Sequence, residues 1–308
     1  MTEIIYRKVI RIGREVKYVP IDAEVFEKLL NAKSILTNAL DIENLLHIPI
    51  ENLIQFEKDI LNEIVEHIYK ENMDYEHSYE VRVMFQRHLS NIILSTELFI
   101  DKGKGLYWRL FDKNLPNSKK NEYKSQFDNL LSEMYDAHSS YKICATLINY
   151  LKHNNLAVHG TSSGSKWDTQ FESLSYRLNA YILKSELILS DKRFKKICEK
   201  GWLEEVPEKI EILPTVKKYI SCLSQVLNEI REKSKYSVNH SVNLIKKEIH
   251  NSTNNYAKIE KIKDNEILES FNILLSWEEV RQKNVLKYNS LIKLEKRQIG
   301  SEYNKAQK

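Results

Sequence analysis

Residues 147–166, LINYLKHNNLAVHGTSSGSK, hold the groups in this chain best able to do chemistry. Asn149 and His153 stand four residues apart, so on a helix they share a face and can touch. A histidine beside an amide can serve as a general base near neutral pH. The same spacing also describes an ordinary polar face at a helix C-terminus, where a histidine meets the negative end of the dipole. Lys142 and Thr146 extend the Asn149–His153 face. Ile143, Leu147, Tyr150 and Leu151 form a second, apolar face toward the core. His159 follows in the next loop, and two histidines alone rarely hold a metal, so no metal is assigned. The GTSSGSK segment is not a phosphate-binding loop. Only three residues separate Gly160 from Gly164, Trp167 follows Lys166, and the segment comes after a helix rather than a strand.

The elements that must position these groups are mostly helical. The 308 residues contain only 7 Gly and 5 Pro, which favours long helices over a many-turned β fold. With 42% hydrophobic residues the chain can bury a substantial core. The net charge of +4 and pI near 8.6 are compatible with RNA contact without requiring it. Three separated cysteines, Cys144, Cys198 and Cys222, form neither a disulfide framework nor a zinc spacing. The opening residues lack the apolar core of a signal peptide, and no apolar run is long enough for a bilayer. The expectation is a soluble, cytoplasmic protein with no cofactor and no membrane association.

Residues 3–19 alternate as a β-hairpin turning at Gly13. Asp22 caps a helix to about residue 41, and a second helix starts near Pro49. A third runs over 76–101 and is stopped by the glycines of DKGKG. Helices follow over 121–136 and from Ser139 to His153, before a Gly/Ser loop. Residues 171–183 alternate as a strand that pairs with the N-terminal hairpin. Residues 190–201 and 215–233 read as helices, and 238–308 as one or two long polar helices with a basic, disordered end. Basic clusters at 192–196, 246–247 and 293–298 suit either RNA backbone contact or solvated faces. Tyr107, Trp108 and Arg109 suit core packing more readily than base stacking. His77 and His88 are too far apart for a helical metal pair and read as surface or interface groups.

INYLKH, at 148–153, resembles the motif of HEPN domains, small all-helical domains of prokaryotic toxins and RNases, in which an Arg and a polar residue precede a His. NIILSTELFID (91–101), FDNLLSEMYDAHSSYKICATLINYLKHNNLAV (127–158) and the stretch from ILSDKRFKK to NEIREK resemble uncharacterised bacterial HEPN-like proteins, over 76–235 in all. The resemblance implies a HEPN-like helical bundle; with the residue pattern, the expected fold is mainly α, with a small β-sheet element and a helical C-terminal extension, divided as 1–237 and 238–308. It implies a homodimer and metal-independent RNA cleavage in bacterial stress, toxin–antitoxin or phage-defence systems, with an antitoxin or defence protein as partner. The catalytic pair would be His153 and Asn149.

Ile148 occupies the motif's Arg position, and it cannot hold charge on a phosphate. Lys152, Lys142, Arg87, Arg82 and His159 are the candidates to contact RNA in its place. Lysine is a poorer bidentate partner than arginine. The other expectation is therefore a non-catalytic dimeric scaffold or regulatory binding protein with a silenced site.

Overall fold

The computed structural model describes the chain except residues 1–3, 70–73, 154–155, 170–172, 191, 202–203, 251, 289–290 and 298–308. The expected basic, disordered end lies outside the described residues from 298 onward. The fold is mainly α with two small antiparallel sheets. Two compact units divide the chain. The first comprises Met1–His47, Leu98–Leu130 and Val226–Tyr288, and the second Ile48–Glu97, Leu131–Gln225 and Asn289–Lys308. The expected 237/238 division falls inside one helix, Ile212–Ile249.

The first helix, α1 (Ala23–Tyr69), is a single element where two were expected, and Pro49 lies inside it. The reason is the apolar stripe. Ala39, Ile42, Leu46, Ile50, Leu53, Phe56 and Ile60 are buried at intervals of three and four across the proline. An interior proline costs about 3 kcal/mol. Burying each large apolar side chain returns about 1.5–3 kcal/mol, and the stripe contains several.

Helix α2 (Tyr75–Tyr107) runs through both glycines expected to stop it. A Cβ on Gly103 would stand 2.7 Å from Cζ of Phe127, so that glycine permits close packing rather than ending the helix. A 3-10 turn, Trp108–Leu110, follows. Next come α3 (Asn117–Ala137) and α4 (Ser139–His153), the latter as expected.

In the first unit, β1 (Ile5–Ile12) and β2 (Glu15–Pro20) form the expected hairpin, with Gly13 at φ +63° in its turn. The segment expected to be all helix contains a second hairpin, β6 (Tyr256–Lys263) and β7 (Glu266–Leu274). Its turn residues Asp264 and Asn265 have φ of +52° and +66°, the left-handed pair that a tight hairpin requires. The four strands form one sheet in the order β2-β1-β6-β7. On its inner face Tyr6, Phe26 of α1 and Phe271 pack ring against ring, with centroids 5.1 and 5.3 Å apart.

The second sheet, in the other unit, contains β3 (Gly160–Asp168), β4 (Ser173–Leu183) and β5 (Lys209–Glu211) in that order. The Gly/Ser segment is thus a strand, not a loop. The expected strand at 171–183 pairs with it, not with the N-terminal hairpin. Between β4 and β5 lie two short helices, α5 (Lys184–Ser190) and α6 (Lys192–Glu199). Helix α7 (Ile212–Ile249) and α8 (Ser276–Tyr288) complete the described α-helices. In the second unit α1 and α2 meet through Phe56 and Phe85, and α4 and α7 through Tyr141 and Tyr219. No described helix is long and apolar enough to cross a membrane.

Candidate functional site

Helix α4 is enclosed on more sides than its pattern suggested. Ile143, Leu147 and Tyr150 are buried as expected, but so are Lys142, Thr146 and Ile148. The face of Lys142 and Thr146 is therefore not a solvent face along its length. Asn149 is half-buried, and exposure returns only in the last turn, at Lys152 and His153. His153 is the final residue of α4, and its neighbours 154–155 lie outside the described residues.

Lys142, Lys152 and Arg87, three of the cations proposed to replace the motif arginine, are engaged elsewhere. Lys142 is only 4% exposed. Its Nζ donates 2.6 Å to the Asp136 carbonyl and stands 5.4 Å from the centre of the Tyr135 ring. Lys152 is paired with Glu97 at 2.5 Å. Arg87 lies 3.4 Å from Asp59. His88, stacked on Phe56, lies 2.6 Å from that same carboxylate. Arg82 is exposed on α2, and its charge is felt by His159. Ile148 is buried, so the position that should present a guanidinium presents a packed aliphatic group.

His159 is a structural histidine. The backbone N–H of Leu183 donates to its Nδ1 at 3.1 Å, so the neutral ring carries its proton on Nε2, 3.3 Å from the Tyr150 hydroxyl. Burial pushes its pKa below 6.5. Glu186 opposes that shift and Arg82 adds to it. The backbone beside it is held as well, because Val158 N–H donates to Oε1 of Gln86 at 2.9 Å.

A second cluster in the same unit carries more chemistry. Glu63 and His67 of α1, His77 and Ser78 of α2, and Thr161, Ser163 and Tyr176 of the second sheet line a cavity of about 210 Å³. Nε2 of His77 lies 3.3 Å from Oε2 of Glu63, and both atoms are buried without a hydrogen-bond partner among the described residues. Buried polar atoms usually have partners, so two orphans facing each other beside a cavity are unusual. His67 stacks on Tyr176, with ring centroids 4.0 Å apart. Among the described residues, no three His, Cys, Asp or Glu side chains are arranged to hold a metal ion. The cluster can instead relay a proton between carboxylate and imidazole next to three aliphatic hydroxyls.

The sequence reads His77 as a surface or interface group and does not single out Glu63. The available signal was the four-residue spacing of Glu63 and His67 on one helix face. The approach of His77 depends on how α2 returns along α1, which the pattern does not encode.

No family model, curated protein or solved structure matches the chain.

Proposed function

We propose that this chain is a HEPN-like, RNA-directed protein whose motif helix is silenced, and that it acts as a non-catalytic, homodimeric binding or regulatory scaffold. The observation that carries this reading is the environment of position 148. Ile148 is packed, and the two lysines on the same helix are held by the Asp136 carbonyl and by Glu97. A phosphate in its pentacovalent state needs preorganised positive charge, and losing one such donor typically costs about 3–4 kcal/mol of barrier. The exposed His153 then has a packed aliphatic group, not a cation, at position 148 of its own helix. The setting in bacterial stress or phage defence, with an antitoxin or defence protein as partner, rests on the sequence resemblance alone.

A second reading is favoured by one specific observation, the orphaned Glu63–His77 pair. Here the acid–base chemistry belongs to that cavity instead of α4, and a metal-independent RNase would work from His77.

One assay tests both. Purified protein is incubated with total RNA and tRNA in EDTA, wild type beside His153→Ala and His77→Ala, while light scattering measures the oligomer. The scaffold reading expects a folded dimer and no cleavage. Cleavage lost in His153→Ala would overturn it and restore the HEPN-type nuclease. Cleavage lost only in His77→Ala would move the reaction to the cavity.

A further inference from the structure

The sheet β2-β1-β6-β7 has an inner face packed on helices and an outer face on which Val16 and Tyr18 are more than half exposed. Register assigns the outer side chains. Tyr18 lies opposite Val9, Val9 opposite Lys258, and Lys258 opposite Asn272, forming one row across all four strands. Arg7 and Glu260 form the neighbouring row on one side, and Arg11 and Val16 on the other. The inner face is fixed independently, since Tyr6 packs on Phe26 and Lys8 reaches Glu248 of α7 at 2.7 Å.

The outer face combines two features. The first is exposed aromatic surface. Tyr18 is 59% exposed, and Tyr256 is 39% exposed with its hydroxyl donating to Asn272 at 2.7 Å. Strand spacing and rise place the two tyrosines about 12 Å apart. The second is positive charge. Arg7, Arg11 and Lys258 stand on this face. Glu260 is already neutralised by Arg7 at 2.7 Å and Lys258 at 2.8 Å, and Glu279 lies at the rim. The hairpin tip adds Arg14. The Arg7 guanidinium sits 4.5 Å from the centre of the Tyr18 ring, which holds both side chains in place. Val9, Arg11, Val16, Tyr256 and Lys258 line a groove of about 680 Å³ on this side of the sheet.

Planar π surface interleaved with cations on an open antiparallel sheet suits a flexible polyanion carrying flat rings. Stacking accepts any base, and the cations follow the phosphates. We infer that the outer face of this sheet, centred on Tyr18, Arg11, Tyr256 and Lys258, binds single-stranded nucleic acid without strong sequence preference. Duplex is not the fitted ligand, because its bases are stacked on one another and cannot reach the tyrosines. The inference does not depend on the reading of α4, and its outcome is independent of whether His153 or His77 supports cleavage.

The test is fluorescence anisotropy with labelled oligouridine and oligothymidine of about ten nucleotides, within the usual footprint of such surfaces. Full-length protein is compared at several salt concentrations with Tyr18→Ala, Arg11→Glu and, as a control, Tyr236→Ala. Tyr236 is 83% exposed, lies on α7 and does not line the groove. Circular dichroism verifies that each variant is folded. Tyr18→Ala is expected to weaken binding about tenfold, the size of one lost stack. Arg11→Glu should weaken it and reduce the slope of log affinity against log salt by about one. Tyr236→Ala should change nothing. Equal binding of the two strands supports recognition through bases and phosphates. A preference for the uridine strand supports it with an added 2′-hydroxyl contact. No binding of either strand by folded protein at low salt would overturn the inference, as would binding that neither Tyr18→Ala nor Arg11→Glu alters.

Discussion

The ammonium of Lys142 donates a 2.6 Å hydrogen bond to the carbonyl oxygen of Asp136, six residues earlier, and so joins the start of α4 to the end of α3. A lysine that looks available for an anion in the sequence is a structural clasp in the fold. Lys142→Ala should therefore lower stability by about 2 kcal/mol, the usual size of a hydrogen bond with a charged partner. Lys142→Glu should cost more, because it buries a carboxylate against a carbonyl. Urea denaturation measures both. An unchanged midpoint in Lys142→Ala would show that the clasp carries no load and would free the lysine for a ligand.

Glu63 and His77 should behave as a coupled pair. Removing either one leaves the other's buried atom with less compensation, while removing both leaves an apolar patch. Glu63→Leu and His77→Leu should each destabilise. The double variant should be more stable than the sum of the two predicts, by about 1 kcal/mol. Strict additivity in a double-mutant cycle would mean that the two groups do not interact.

Stability should fall as the solution is acidified below pH 6.5. The sign follows from His159 and His138, both held below 6.5 first of all by burial. Between 6.5 and the lower folded values, the unfolded chain binds protons that the folded chain refuses, so acid favours unfolding. Above 6.5 both states are neutral at these sites, and the contribution is constant. Protonating His159 would also set an N–H against the Leu183 N–H that its Nδ1 now accepts. His159→Gln should reduce the pH slope without abolishing it, because His138 remains. Urea midpoints from pH 7.5 to 5.5 test this, and an identical slope in the variant would exclude His159 as a contributor.

Two glycines of one motif should respond oppositely to alanine. In α2 nothing lies within 4 Å of where a Cβ on Gly105 would be, whereas on Gly103 it would press on the buried ring of Phe127. Gly105→Ala should gain up to about 1 kcal/mol from helix propensity. Gly103→Ala gains the same propensity but overpacks the core, which costs about 1–3 kcal/mol, so the net effect should be a loss. Thermal melts of the two variants give the comparison directly. Equal shifts would mean that the ring can step aside.

The same pair shows how far the sequence was readable. Apolar periodicity located α4 to the residue and placed the buried stripes of α1 and α2, because a helix repeats its own pattern locally. The stops were misread, because Pro49 and Gly103 follow local rules that tertiary burial overrides. The β6–β7 hairpin was hidden by charge. Lys258, Glu260 and Lys261 look like a solvated helix, although Ala257 and Ile259 already alternate with the first two, and Asp264–Asn265 is a turn pair. At the site, Asn149 and His153 were placed correctly on the last turns of α4. The destinations of Lys142, Lys152 and Arg87 were not legible, since each is set by an acceptor on another helix. The Glu63–His77 contact joins two helices and lay beyond any spacing rule.

The first strand of the chain waits for one of the last. Ile5 of β1 lies opposite Ile262 of β6, so the hairpin β1–β2 emerges with one long edge unpaired. At ordinary rates of synthesis its partner follows about 10–50 seconds later. An open strand edge over that interval invites pairing with other chains. Arg7, Lys8, Arg11, Arg14 and Lys17 would keep such hairpins apart by mutual repulsion until β6 arrives. Arg7 and Arg11, assigned to a ligand in the finished protein, thus share an earlier task with their neighbours, as guards of an unfinished sheet.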